Sequence, residues 1–171
     1  MTLSGFWPVT VLIAVFVVLQ STIFKDVRLF GVKPDFALII FLFTSARQGS
    51  LRGQLTGFIT GLVQDFLSLA PLGFNAFVRT IIGYLYGLLR GSFFIDPIFF
   101  PILIVVIGTL LKYFLSYILM LIFVSSASAA TVFSARMWIE MGINGFFAPF
   151  IFALLKLVKF IPARERDEMF R

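Results

Sequence analysis

The chain has no cysteine and no histidine in its 171 residues. That excludes disulfides, zinc sites built from Cys or His, and acid–base chemistry that runs on imidazole. Charge is also scarce: 13% of residues are charged, and only eight are acidic. What fills the chain instead is apolar. Sixty per cent of residues are hydrophobic, 24 are Phe, and mean hydropathy is +1.06. A soluble domain of this length has too little interior to hide that surface, so the composition predicts an all-α integral membrane protein. The length allows one polytopic domain, 1–171, of about six spans at ~20 residues each. The net charge of +6 does not point to nucleic acid. The basic residues cluster at span ends and in the tail, where they set orientation and meet anionic lipid.

The central feature is the stretch GQLTGFITGLVQDFLSLAPLGFNAFVRTIIGYLYGLLRG, residues 53–91. Gly53, Gly57, Gly61 and Asp65 follow one another in steps of four, and so do Arg79, Gly83, Gly87 and Gly91. Residues four apart share a helix face. Each helix therefore carries a glycine stripe with a charge at one end. Pro71 and Gly73 turn the chain between them, which makes the helices antiparallel neighbours. In lipid, small residues drive association by letting backbones approach. Packing is therefore the ordinary reading of the stripes, and a ligand groove lined by bare backbone is the sharper one.

The expected spans are 5–24, 35–48, 51–69, 75–90, 97–124 and 142–161, with a short interfacial helix at 131–141. The first has no basic residues before it and no small-residue cleavage motif after it, which favours a retained span over a signal peptide. Pro34 and Asp35 open the second, since both suit a first helical turn. Its apolar run is short for a ~30 Å core, so a position inside the bundle is one explanation. Asp96 and Pro97 open the fifth. Arg136 and Glu140 are four apart and expected to pair on the interfacial helix. With the N-terminus inside, Arg47, Arg52, Arg90, Lys156, Lys159, Arg164, Arg166 and Arg171 fall on the inside, against Lys25, Arg28, Lys33 and Arg136 outside. The excess predicts that both termini are cytoplasmic.

The polar residues expected at membrane depth are Gln64, Asp65, Asn75, Arg79, Lys112, Tyr113 and Asn144. They contain no nucleophile–base pair and no carboxylate cluster for a metal, so neither catalysis nor a cofactor is expected. Asp65 follows Leu51 by 14 residues and Lys112 follows Ile98 by 14, so both lie about 21 Å along their helices. Arg79 reaches a similar depth from the turn. The expectation is one acid, Asp65, held by two cations, Arg79 first and Lys112 second. A proton carrier would also use an intramembrane acid, but a structural ion pair is the commoner use.

Three segments resemble the rod-shape-determining MreD family: LFGVKPDF at 29–36, GFITGLVQDFLSLAPLGFNAF at 57–77, and GYLYGLLRG at 83–91. Gly57, Gly61, Asp65, Gly73, Asn75 and Gly83 match its pattern; Lys112 does not. The resemblance implies a non-enzymatic protein of the bacterial inner membrane. It implies a role in the elongation machinery, joining MreC and, through it, MreB and the peptidoglycan synthases. It also implies a fold like the substrate-binding subunits of energy-coupling-factor transporters. A vitamin-binding transporter subunit is therefore the rival reading, although the short outer loops offer it few hydrogen-bonding groups.

Overall fold

A computed structural model describes residues 6–22, 28–68, 70–90, 98–123 and 134–157. Among these residues the chain forms six helices and no strand: α1 (Phe6–Thr22), α2 (Phe36–Gln48), α3 (Ser50–Leu67), α4 (Phe74–Leu88), α5 (Phe99–Phe123) and α6 (Ala135–Leu157). Gly91 and the Asp96-Pro97 start signal lie outside the described residues.

The short helix α2 is the axis of the bundle. Its sequence, FALIIFLFTSARQ, is apolar on every side through Phe43, the pattern of a helix with no face to solvent or lipid. Residues 37–46 are buried throughout, and α2 touches all five other helices. Thirteen residues give about 20 Å of helix, enough for an interior strut and too little to cross a bilayer alone. Phe36 and Phe43 set edge-to-face aromatic contacts with Phe147 and Phe152 of α6, with ring centroids 5.4 and 4.7 Å apart.

The outside of the bundle is apolar as well. On α5, Leu103, Ile107, Leu110, Phe114, Ile118 and Leu121 are exposed at helical spacing. A face like that in water would be a large sticky patch; in lipid it is the expected exterior. By length and composition α5 and α6 are each capable of crossing a membrane.

The α3–α4 pair packs most closely. The glycines of one helix meet the backbone of the other: Gly53 lies against Gly83, Gly57 against the Arg79 carbonyl, Gly61 against Asn75 and Ala76, and Gly87 against Ser50. A Cβ on Gly61 would sit 2.6 Å from the Asn75 carbonyl oxygen, with backbone rather than a pliable side chain in the way. This order of contacts makes the two helices antiparallel. Further bonds tie the rest together. The Thr10 and Thr56 hydroxyls join α1 to α3 at 3.1 Å. The Tyr86 hydroxyl donates to the Ile104 carbonyl at 2.7 Å, joining α4 to α5.

Helix α6 differs from the sequence expectation. In place of an interfacial helix at 131–141 followed by a span from 142, residues 135–157 form one helix. Gly142 and Gly145 do not break it, because each glycine within a helix costs only about 1 kcal/mol. That cost is offset where Glu140 and Asn144, one turn apart, both bond to α5.

Candidate functional site

Two polar clusters lie toward the end of the bundle where α3 ends and α2 and α4 begin. The first belongs to the hairpin turn. Gly73 caps α4 in the left-handed region, φ 94°, which a residue without Cβ adopts freely. This brings the start of α4 over the Asp65 side chain. One carboxylate oxygen accepts from the Gly73 and Ala76 amides at 2.9 and 3.1 Å. The other accepts from the Asn75 amide and side-chain amide, both at 2.8 Å. Asp65 thus satisfies three backbone donors that α4 leaves open at its first turn, and sits at the positive end of that helix.

The second cluster is ionic and centres on Asp35. Its carboxylate caps α2 by accepting from the Leu38 amide at 3.0 Å. It also accepts from Lys112 Nζ at 3.0 Å and faces Arg79 Nη2 at 3.9 Å. Lys112 then bridges to Glu140 at 2.5 Å, and the Tyr113 hydroxyl donates to the other Glu140 oxygen at 2.5 Å. Asn144 finishes the link between α2 and α5: its carbonyl oxygen accepts from the Asp35 amide at 3.0 Å, and its amide donates to Thr109 at 3.4 Å. From α1, Gln20 donates to the Pro34 carbonyl at 2.9 Å and accepts from the Ala37 amide at 3.0 Å. Five helices therefore meet at the start of α2.

The structure divides the cluster expected from the sequence. Asp65 and Asn75 are joined to each other at the turn, whereas Arg79 and Lys112 converge on Asp35. The expected order, Arg79 first and Lys112 second around Asp65, is thereby corrected. Asp65 and Arg79 do not share a depth: Arg79 lies level with Gly57, two turns of α3 from Asp65, which instead meets residues 73–76 at the start of α4. The Arg79 carbonyl faces Gly57, while its guanidinium lies 5.8 Å over the Phe41 ring of α2. Asp65 needs no cation because amide donors surround it. Glu140 likewise turns inward to Lys112 rather than pairing with Arg136, which is exposed. Asp35 and Glu140 are the site residues that spacing along the chain missed. The available signal was Glu140 and Asn144 at a four-residue step on a helix bearing one acid, opposite a span bearing one lysine.

Beside the ionic cluster is a partly open pocket of about 210 Å³. Gln20, Lys33, Asp35, Gln64, Arg79, Lys112 and Glu140 supply its polar wall. Two groups there have no hydrogen-bond partner: Arg79 Nη1 and Gln64 Oε1.

The rod shape-determining protein MreD family matches residues 2–158. The chain belongs to this family. It is a shape-determining family of membrane proteins, part of the system that includes MreC and MreB. No curated protein and no solved structure matches the chain. The fold likeness to transporter subunits and the vitamin-transport alternative therefore gain no support. Within this family member, Asp65 and the glycine stripes belong to the hairpin. The ionic cluster lies where the hairpin meets α1, α2, α5 and α6.

Proposed function

We propose that this MreD-family chain is a non-enzymatic inner-membrane scaffold of the cell-elongation machinery, the elongasome. In this reading it binds MreC directly and, through it, links MreB and the peptidoglycan synthases during lateral wall growth. The family match over residues 2–158 carries the proposal. The architecture supports it. A scaffold needs a rigid body, and here the α3–α4 hairpin is locked by backbone contact while a charge network ties five helices together. Rigid surfaces lose little entropy when a partner docks. The chain crosses the membrane several times, with both termini in the cytoplasm.

Depletion in a rod-shaped host tests the role. Cells should round up and lose lateral wall synthesis, and MreC should co-purify with the tagged protein from mild detergent. Depleted cells that stay rod-shaped but need an added vitamin would return the transporter-subunit reading.

A further inference from the structure

We infer that the pocket beside Asp35 binds the phosphodiester headgroup of an anionic amphiphile, one that carries a hydroxyl next to its phosphate. Three observations carry this. The first is charge: Lys33, Arg79 and Lys112 face the pocket against Asp35 and Glu140, so its wall holds one positive charge in excess. Both acids are already engaged, by Lys112 and Arg79.

The second is an unused donor. The Arg79 side chain is 4% exposed, lines the pocket, and leaves Nη1 without a partner. A buried cationic donor left open is costly, and the guanidinium fork is shaped to grip phosphate or carboxylate through two bonds. Lys33, half-buried at the same pocket, makes no ion pair among the described residues and offers the second cation.

The third is an unused acceptor. Gln64 Oε1 is buried without a donor. A bare anion would leave it unsatisfied, but a headgroup hydroxyl would not. One excess charge, one free acceptor and about 210 Å³ together suit a compact monoanion bearing a hydroxyl. The chemistry is shared by the phosphoglycerol group of a phospholipid and by the same group free in water.

The test uses the purified full-length chain, stripped of lipid in a neutral detergent. Three probes are titrated: phosphatidylglycerol, phosphatidylcholine, and glycerophosphoglycerol, which is the first headgroup without its acyl chains. Phosphatidylcholine keeps the phosphate and the chains but replaces the hydroxyl with a quaternary ammonium. Phosphatidylglycerol should bind at least about tenfold more tightly than phosphatidylcholine, which leaves the buried Gln64 acceptor without a donor and sets a quaternary ammonium among the pocket's cations. Lys33→Glu should remove that preference without changing Tm, since Lys33 makes no ion pair among the described residues. Gln64→Leu should weaken phosphatidylglycerol binding and leave phosphatidylcholine unchanged. Arg79→Gln is avoided as the deciding variant because Arg79 also faces Asp35. Binding of the free headgroup as tightly as the lipid would support an aqueous source, and binding of the lipid alone a membrane source. Equal affinity for the two lipids, no binding of any probe, or a preference that survives Lys33→Glu would overturn the assignment. MreC co-purification reads the scaffold role separately, so either reading can fail without the other.

Discussion

Two of the three acids buried among the described residues show how differently a carboxylate is kept at depth. Asp65 is held by amides and Asp35 by cations, and the consequences of removing each differ. Asp35→Ala leaves Arg79 and Lys112 with Glu140 as the one acid of the cluster. Breaking a buried ion pair typically costs about 3–5 kcal/mol, so the yield of folded protein should fall sharply. Asp35→Asn should be milder, because the amide oxygen still caps the Leu38 amide. Double-variant cycles separate the clusters. Lys112→Met and Glu140→Gln should be non-additive, with a coupling of about 0.5–3 kcal/mol by unfolding in micelles. Lys112→Met and Asp65→Asn should add to within about 0.5 kcal/mol. Strong coupling between Lys112 and Asp65 would contradict the geometry. The sequence made Lys112 stand out, since a lone lysine deep in an apolar span demands a partner. It did not reveal which acid answers. Asp35 is 77 residues away and Glu140 is 28, and both distances are closed by helix packing that no local pattern encodes.

Among the elements, the hairpin was legible and α6 was not. Glycines at steps of four on both sides of a Pro-Gly turn have one economical packing, backbone on backbone, and that signal is local. The segment at 135–157 gives no such signal: it mixes polar residues, two glycines and Pro149, and its continuity depends on what α5 presents to it. Two glycines therefore make opposite predictions. Gly61→Leu should lower Tm and fail to restore rod shape in a deletion strain while still inserting in the membrane, because the new side chain collides with the α4 backbone. Gly142→Ala should be accepted, because a Cβ there meets nothing within 4 Å. Inside a continuous helix it should stabilise by up to about 1 kcal/mol. A Gly61→Leu protein of unchanged Tm would sink the packing account, and a destabilised Gly142→Ala would mean that α6 bends at this residue.

At the scale of the whole molecule, the helix order sorts the loops into two sets, and the structure shows the members of each set near one another. Gly49, between α2 and α3, lies against the Arg90 side chain just past α4, so these links share one end of the bundle. The turn that carries Pro71, Leu72 and Gly73 lies at the other end, toward the pocket that Lys33 helps to line. Arg47, Arg52 and Arg90 all lie at or beside the first set of links, and basic residues mark the cytoplasmic side of short loops. The expected orientation then puts the first end in the cytoplasm and the pocket in the outer half of the membrane. The absence of native cysteine makes the assignment directly testable, because every introduced thiol reports alone. Phe30→Cys and Leu72→Cys place a thiol at exposed positions on links at the pocket end, 88% and 67% exposed. Both should react with a membrane-impermeant maleimide in intact spheroplasts. Arg90→Cys should react only after the membrane is opened. The reverse pattern would turn the molecule over and put the pocket on the cytoplasmic side. A headgroup drawn from the outer leaflet would then have no route to Arg79, so the labelling result also decides which side of the membrane can supply the headgroup.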